Sequence, residues 1–479
     1  MNRTPNILFI LADDLGWKDL SCMGSSFYET PNLDRLAREG MRFTDAYAAC
    51  PVCSPTRASI MTGKYPANIG VTNFIGGHAK GYLISAPYAD HIRHEEKTIA
   101  DELNSAGYST WHVGKWHLAG RYNRSDEFKK SHYPDGHGFD VNIAGCEAGM
   151  PHHGYFSPWS INNLTDGKDG EYLPDRLTDE AINLIKERDD KPFFLNLWYY
   201  LVHVPIEAKP EFIEYFEKKK KDLSLDTVKE FEVGDYFPCE HKKEKKIIRR
   251  LVQSDCIYAA MLKSLDENIG RLLQALKDEG IYDNTVVFFT SDNGGLATAE
   301  GSPTCNKPLS EGKGWMYEGG TREPLIVKWD GRIIPGTICR TPVSSPDFYP
   351  TLCEIAGWNN YKSGDGRSLV RLFEDNTDLS LEDRPLFWHY PHYANQGGTP
   401  GSSVRKGRYK LIQFYEGDRF ELYDLASDPG EKLNIYRDRP EIAVELKELL
   451  EEWKSNVEAK IPEPNPDFVP WSECHSELI

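Results

Sequence analysis

Five short apolar runs constrain the fold of this chain more than any other feature of its sequence. They are rich in Ile, Val, Phe, Leu and Trp without polar alternation, and they lie at 6–12, 109–113, 193–201, 285–290 and 324–329. Strands that are buried on both faces have this composition, and such strands occur in parallel sheets covered by helices. The runs therefore predict a mostly parallel central sheet.

Helical patterns lie between these runs. Thr30 and Pro31 are typical of a helix N-terminus, and Thr98 with Asp101 has the spacing of a capping box. Residues 254–280 repeat apolar side chains at the spacing of one helical face. Strands that alternate with helices predict an α/β fold with helices on both faces of the sheet.

The pattern changes after residue 375. We expect an α/β domain at 1–375 and a smaller α+β domain at 376–479. In the second domain, 409–415 and 419–424 alternate like antiparallel strands, and 440–457 has the pattern of a helix.

Charge limits the classes of partner. The formal net charge of -18 argues against nucleic acid, because phosphate backbones attract clustered Lys and Arg. The basic run 218–221 lies in a highly charged segment, 215–250, which we interpret as a helical insertion. No stretch approaches the roughly 18–20 apolar residues of a membrane span, so no membrane partner is expected.

The N-terminus leads directly into the first apolar run, which is too short for the hydrophobic region of a signal peptide. A complete chain would be cytoplasmic; a chain whose leader has been removed would be periplasmic or secreted. The ten cysteines are scattered and do not indicate a disulfide framework.

Acidic and amide side chains follow two of the predicted strands. Asp13 and Asp14 come directly after the first run, and Asp292 and Asn293 follow the run at 285–290. The carboxyl ends of parallel strands meet at one edge of a sheet, where ligands bind. Either pair alone could be a helix cap or a turn. Together they predict an oxygen-ligand site for a hard cation, Ca²⁺ or Mg²⁺.

Basic residues follow the other two strands of this set. Lys115 and His117 come after the run at 109–113, and His203 comes after the run at 193–201. At the same sheet edge they would bind an anion or move protons, although His203 could also be a histidine of the core.

Cys53 begins the segment Cys53-Ser-Pro-Thr-Arg-Ala-Ser. With Cys50 it has the spacing of a redox motif or of half a zinc site. No second Cys-x-x-Cys exists, and neither role needs the residues that follow, up to Arg57.

These segments resemble the type I sulfatases, whose signature Cys-x-Pro-x-Arg is read by a maturation enzyme that oxidises the cysteine to formylglycine. The resemblance covers nearly the whole chain. The matching segments are Pro5-Asn-Ile-Leu-Phe-Ile-Leu-Ala-Asp-Asp, Thr30-Pro-Asn-Leu-Asp-Arg-Leu-Ala, Cys53-Ser-Pro-Thr-Arg-Ala-Ser, Gly114-Lys-Trp-His-Leu, Ser291-Asp-Asn-Gly-Gly, Gly312-Lys-Gly-Trp-Met-Tyr-Glu-Gly-Gly-Thr-Arg-Glu-Pro and Glu421-Leu-Tyr-Asp-Leu-Ala-Ser-Asp-Pro.

The resemblance implies an alkaline phosphatase-like fold and a bacterial carbohydrate sulfatase that needs a formylglycine-generating maturation enzyme. It also implies site residues. The metal would be held by Asp13, Asp14, Asp292, Asn293 and the modified Cys53; the catalytic residues would be Cys53, Arg57, Lys115, His117, His203 and Lys313. Arg57 would orient residue 53, Lys115 and Lys313 would hold sulfate oxygens, and His203 or Lys313 would protonate the leaving alcohol. His117 would take the proton that lets sulfate depart.

Substrate recognition is less constrained. The segment 149–159 concentrates His152, His153, Tyr155 and Trp159, which suits contacts with sugar rings and hydroxyls, although a packed loop would have the same composition. The segment that begins Trp388-His-Tyr-Pro-His-Tyr could close over the same site. Both favour a sulfated sugar, or a glycosaminoglycan or algal glycan fragment.

Arg322, in Gly-Gly-Thr-Arg-Glu-Pro, is a further candidate for substrate binding or for a structural ion pair. Two rival functions remain at this stage. One is a phosphonate monoester or phosphodiester hydrolase with the same nucleophile and fold. The other is a glycan-binding protein without activity, which would not need Cys53, Arg57, Lys115 and His117 together.

Overall fold

The computed structural model describes residues 4–362 and 364–469. Its strands form one large sheet, one four-stranded sheet and two short pairs. The strands are β1 (Asn6–Ala12), β2 (Met41–Tyr47), β3 (Leu83–Ile84), β4 (Ser109–Gly114), β5 (Val141–Ile143), β6 (Phe193–Trp198), β7 (Phe231–Tyr236), β8 (Lys246–Arg250), β9 (Thr285–Ser291), β10 (Arg322–Lys328), β11 (Thr337–Cys339), β12 (Val343–Ser344), β13 (Leu386–Tyr390), β14 (Gly401–Lys406), β15 (Tyr409–Phe414), β16 (Arg419–Asp424) and β17 (Glu463–Pro464).

The predicted central sheet is confirmed. Its strand order is β11-β2-β10-β9-β1-β6-β4-β5, with β12 beside β2. The sheet contains five adjacent strands that run parallel to one another, β9-β1-β6-β4-β5. Strand β10 is antiparallel to both of its neighbours, β9 and β2. All seven residues of β10 are buried, so it has the same unalternating composition as the parallel strands. An apolar composition without alternation thus reflects burial of a strand on both faces, whether the strand is parallel or antiparallel to its neighbours.

Helices cover the sheet in two groups whose members contact one another: α1, α6, α7 and α8 form one, and α2, α4 and α10 belong to the other. The helices are α1 (Pro31–Glu39), α2 (Cys53–Thr62), α3 (Pro66–Ile69), α4 (Ile99–Ser105), α5 (Asp126–Ser131), α6 (Leu173–Lys186), α7 (Pro210–Asp222), α8 (Cys256–Asp278), α9 (Glu318–Thr321), α10 (Phe348–Ile355), α11 (Val370–Asp375), α12 (Leu379–Glu382) and α13 (Pro440–Asn456). The capping box of Thr98 and Asp101 is present at the start of α4. In the described residues, no helix is both long enough and apolar enough to cross a membrane.

The C-terminal part contains the expected antiparallel strands and helix. Strands β13, β14, β15 and β16 pair in sequence order, and α13 packs on β14 and β15. Buried Lys410 of β15 pairs with Glu318, in the short helix that precedes β10 of the large sheet, at 2.9 Å, and with Glu431 at 3.1 Å. The division between residues 375 and 376 stays a prediction, and 470–479 lie outside the described residues.

The interpretation of 215–250 as helical is wrong for most of that segment. Helix α7 ends at Asp222, and β7 and β8 then form an antiparallel pair in which Val233 lies opposite Ile248. The many charged side chains hide the short period-two pattern of these strands, so their composition indicates a polar helix. We call residues 231–250 the hairpin insertion.

Candidate active site

The polar residues that follow the strands meet at one edge of the sheet, as the parallel order requires. Asp13, Asp14, Lys115, Asp292 and Asn293 are all buried. Lys115 Nζ lies 2.5 Å from Asp13 Oδ2, and Asn293 Nδ2 donates to Asp14 Oδ1 at 2.8 Å. The backbone N–H of Asp14 donates to Asp292 Oδ1 at 3.2 Å, and Asp14 has a left-handed φ of 62°. Three strand ends thus supply one compact cluster of acids and bases.

Cys53 is the first residue of α2, directly after the extended residue Val52. Every residue of this helix is buried, and the helix begins at the cluster, so its N-terminal N–H groups favour negative charge at position 53. Burial raises the pKa of the Cys53 thiol despite the positive charges of Lys115 and Lys313. The unmodified thiol is therefore held in its neutral form.

Arg57 lies one helical turn beyond Cys53 and is fully buried. Its Nε donates to Asp292 Oδ2 at 2.8 Å, its Nη2 lies 2.7 Å from the same oxygen in an ion pair, and its Nη1 donates to the carbonyl of Lys115 at 3.0 Å. The guanidinium also lies over the ring of Trp198, 5.1 Å from its centroid. The planar side chain consequently connects three strand ends to the start of α2.

His117 lies next to residue 53. Its Nδ1 is 3.4 Å from Cys53 Sγ, and its Nε2 is 3.2 Å from the carbonyl oxygen of Ile75. A carbonyl only accepts, so the ring proton sits on Nε2 and the unprotonated Nδ1 faces residue 53. Burial, then Lys115 and Arg57, hold the pKa of His117 well below its usual range. The ring is therefore a neutral base at neutral pH.

Lys313 and His203 form a second proton-carrying pair. Lys313 Nζ lies 2.8 Å from Asp14 Oδ2 and 3.0 Å from His203 Nε2, while His203 Nδ1 donates to the carbonyl of Val204 at 2.7 Å. Burial and the charge of Lys313 lower the pKa of His203 to about 3. Burial opposes the charged form of Lys313, but the acidic groups around it, Asp14 foremost, together outweigh burial and raise the pKa of the lysine. The shared proton lies on Lys313 and is directed at His203 Nε2.

The donor atoms of the cluster fit a hard divalent cation. Asp13 Oδ1 and Asn293 Oδ1 are buried and have no hydrogen-bond partner within the described residues. Ligand atoms of Asp13, Asp14 and His203 lie within 4.8 Å of one another. Burial and the adjacent Asp292 raise the pKa of Asp13 to about 8, because both oppose the ionised carboxylate, and a bound cation would favour the ionised form. Unused carboxylate and amide oxygens are the ligands that Ca²⁺ and Mg²⁺ prefer.

The charges of the site balance only without a metal. With all three carboxylates ionised, Asp13, Asp14 and Asp292 carry three negative charges, and Arg57, Lys115 and Lys313 carry three positive ones, so the sum is zero. A divalent cation changes this sum to plus two. The loaded site would then attract an anionic ester, which the side chains by themselves do not.

A cleft of about 460 Å³ opens onto this cluster. Cys53, His117, His203 and Lys313 are the lining residues that belong to this cluster, and we call their side the inner end of the cleft. The predicted metal and catalytic residues therefore lie together, with the reactive ones accessible from one side.

The predicted recognition residues divide into two groups. His152 lines the cleft and hydrogen bonds to the hydroxyl of Tyr122. His153 is exposed and does not line it. The assignment of Tyr155 and Trp159 to sugar contacts is wrong, because both are buried.

Tyr155 and Trp159 instead hold the loop that carries His203. The hydroxyl of Tyr155 donates to the carbonyls of Tyr200 at 2.6 Å and His203 at 2.9 Å, and Trp159 Nε1 donates to the carbonyl of Tyr155 at 2.9 Å. A loop rich in aromatic residues has the same composition whether the rings face a ligand or the core. The sequence could not separate these two cases.

Arg322 does not reach the cleft either, so its assignment to substrate binding is wrong. It pairs with Asp45 at 3.0 Å and with Glu318 at 3.4 Å, at the start of β10. Its role is the structural one that was the alternative from sequence.

Several residues of the cleft were missed. Glu300 follows Asp292 and Asn293 on the loop after β9, and Asn395 and Gln396 follow β13. The segment that begins at Trp388 does reach the site, but through these two amides, because Trp388 itself is buried. Sequence pattern carries no signal for which loop residues end at a cleft wall.

Comparison with known proteins identifies the family. The model of the family described as Sulfatase matches residues 5–358, and the model described as N-sulphoglucosamine sulphohydrolase, C-terminal, matches 311–456. The chain is 31% identical to a sulfatase of Formosa agariphila, over 98% of this chain and 92% of the relative. It is also 31% identical to N-acetylgalactosamine-6-sulfatase of Canis lupus familiaris, over 90% and 76% of the two chains.

A solved structure has the same architecture throughout. The crystal structure of Ps i-CgsB in complex with k-i-k-neocarrahexaose aligns with a TM-score of 0.73 and 26% identity, covering 98% of this chain and 96% of the other. The α/β fold described above is thus the alkaline phosphatase-like fold of these enzymes. The chain belongs to the sulfatase family and is a sulfuric ester hydrolase.

Proposed function

We propose that this enzyme releases sulfate from a sulfated sugar with a formylglycine at position 53 and a divalent cation. The observation that carries the proposal is the position of residue 53. It begins a buried helix, lies 3.4 Å from the unprotonated Nδ1 of His117, and is the residue that the sulfatase signature marks for oxidation. The relative named for N-acetylgalactosamine-6-sulfate and the neighbour bound to a carrageenan-type hexasaccharide support a sugar as substrate.

The chemistry of the site favours a modified nucleophile over the cysteine itself. A reactive cysteine beside two lysines should have a lowered pKa, whereas burial raises the pKa of Cys53. A hydrated formylglycine at position 53 would supply one hydroxyl to attack sulfur and a second whose proton loss would reform the aldehyde as sulfate leaves. The cation, held by Asp13, Asp14, Asp292 and Asn293, would supply positive charge beside the attacking oxygen and the ester.

The remaining residues position the ester and move protons. Lys115 and Lys313 are each held by an aspartate, at 2.5 and 2.8 Å, and would hold sulfate oxygens in fixed positions. The pair of Lys313 and His203 would deliver a proton to the departing sugar oxygen. His117 Nδ1 would then take the proton of the second hydroxyl of residue 53.

This function is tested by measuring the release of inorganic sulfate and of phosphate. The substrates are matched aryl esters and a panel of sulfated mono- and disaccharides. The enzyme is co-expressed with a formylglycine-generating enzyme, and the peptide mass at position 53 confirms the modification. We expect sulfate release from at least one saccharide and none from the Cys53→Ala variant, whose thermal unfolding should be unchanged. Preferential phosphonate or phosphodiester cleavage would place the enzyme with the rival hydrolases.

A further inference from the structure

The outer part of the cleft differs in charge from its inner end. Lys313 is the one lysine among the described lining residues, these include no arginine, and Lys313 is engaged with Asp14 and His203. The outer wall carries a carboxylate, Glu300, with the amides of Asn395 and Gln396. No cation of the lining is therefore free to bind a second anionic group.

Glu300 has unused capacity to accept hydrogen bonds. Gln396 Nε2 lies 3.4 Å from both of its carboxylate oxygens, and Lys242 Nζ lies 3.9 Å from Oε1. These contacts are at or beyond the long limit for a hydrogen bond, so neither saturates the carboxylate. Glu300 is exposed and has a left-handed φ of 53°.

Gln396 is held rigidly beside it. Its carbonyl accepts from Thr298 Oγ1 at 2.9 Å and from Trp315 Nε1 at 3.0 Å, and the residue is only 4% exposed. Its Oε1 is buried and has no hydrogen-bond partner among the described residues. A side chain that lines a cleft with an unpaired acceptor is ready to bind a donor from a ligand.

The hairpin insertion supports this wall. Phe237 and Ile247 share a hydrophobic cluster with Ala299 and Tyr393, the neighbours of Glu300 and Asn395. Lys242 Nζ donates to the carbonyl of Asn395 at 2.8 Å. The segment whose role the sequence did not reveal thus sets the position of both loops that carry the outer wall.

The remaining lining has the character of a surface for a sugar ring. Phe74, Ile75 and Met150 are apolar, and Tyr122 with His152 adds a phenol and an imidazole. A pyranose has an apolar face and a rim of hydroxyls. Its apolar face would therefore pack on the apolar side chains of the cleft, and its hydroxyls would hydrogen bond to the carboxylate and amides of the outer wall.

We propose that Glu300, Asn395 and Gln396 bind hydroxyl groups of the sugar that carries the sulfate, and that they select a sugar with no other negative charge. The inference rests on the proposed function and adds the substrate class to it. A hydroxyl donates to Glu300, whereas a second sulfate or a uronate carboxylate meets the negative charge of Glu300. The cation beside Glu300, Lys242, is already engaged with Glu300 and with the carbonyl of Asn395.

Binding to inactive enzyme tests this selection without turnover. In the Cys53→Ala background, calorimetry measures Kd for methyl hexopyranosides sulfated once at O2, O3, O4 or O6 and for their disulfated counterparts. We expect the best monosulfated sugar to bind at least about tenfold more tightly than its disulfated form. Glu300→Gln should weaken the binding of that monosulfated sugar by about 10- to 100-fold, the range for a hydrogen bond to a charged group. It should also reduce the ratio between the Kd values of the disulfated and monosulfated forms.

Glu244→Gln is the matched control, because it removes the same charge from an exposed position of the hairpin insertion, outside the lining of the cleft. In that variant, the Kd values of the monosulfated sugar and of its disulfated form should each stay within about twofold of those without the Glu244 substitution. Three results would overturn the proposal. The disulfated sugars could bind as tightly as the monosulfated ones or more tightly, no monosulfated sugar could bind, or Glu300→Gln could leave the preference for the monosulfated form unchanged. Sulfate release from an aryl sulfate by the matured wild-type enzyme reports separately on the proposed function, since this ester has no sugar hydroxyls.

Discussion

Replacing His203 with alanine should slow the hydrolysis of a sugar sulfate far more than that of a nitrophenyl sulfate. The reason is the proposed role of the pair formed by Lys313 Nζ and His203 Nε2, which lie 3.0 Å apart and would pass a proton to the leaving oxygen. A sugar alkoxide is a strong base and needs that proton as it departs. Nitrophenolate is a weak base and does not.

The magnitude follows from the role of the pair. A positioned general acid contributes about 10²- to 10⁴-fold to a rate, which corresponds to roughly 2.7–5.5 kcal/mol of transition-state free energy. Lys313 remains beside Asp14 in the variant and can supply part of this effect, so the lower end of the range is expected for the sugar ester. For the nitrophenyl ester the loss should stay within about tenfold.

The assay compares kcat for the two esters at saturating substrate, with the modification at position 53 checked by mass in each preparation. His153→Ala is the matched control, because His153 is exposed and lies outside the lining of the cleft. It should leave both rates within about twofold.

Equal losses on both esters would refute the role of His203 as part of the acid pair. Such a result, with weaker metal binding, would assign His203 to the cation site, where its nitrogen lies within 4.8 Å of ligand atoms of Asp13 and Asp14.

Three further predictions concern the metal, the cleft and the stability of the fold. Asp292→Ala should lower metal affinity and activity together. It should also lower the free energy of unfolding, measured in guanidinium chloride, by about 3–5 kcal/mol, because the buried side chain of Arg57 loses its partner at 2.7 Å. Full activity of the wild-type enzyme after chelation would contradict the metal assignment. His152→Ala should reduce kcat/KM on the sugar sulfate more than on the aryl sulfate, since it removes a polar group of the cleft, and equal losses would exclude a role in recognition. Burial lowers the pKa of His389 to about 4, so as pH falls below 6.5 the unfolded chain binds a proton that the folded chain does not. The free energy of unfolding should therefore decrease by about 1.4 kcal/mol per pH unit from this residue, and His389→Gln should flatten the dependence measured between pH 7 and pH 5.

Much of the scaffold was predictable because its information is local. The composition of β1, β4, β6 and β9 reflects burial on both faces, which every such strand needs wherever it lies in the sheet. The turn-by-turn spacing of α2 likewise places Arg57 one turn from Cys53, with no reference to the rest of the molecule.

The inner site followed from the same local information and one topological rule. Parallel strands have their carboxyl ends at one edge, so Asp13, Lys115 and Asp292 had to meet once the sheet was parallel. The ordered family motifs then indicated the partner residues.

The walls of the cleft were decided by tertiary packing alone. Glu300 and Gln396 are 96 positions apart and meet because the hairpin insertion packs under both loops, a contact that leaves no periodic trace in either segment. Tyr155 is buried and Arg322 is paired with carboxylates for the same reason. A side chain's local spacing shows which element carries it, but its exposure and partners depend on which distant surface packs against that element.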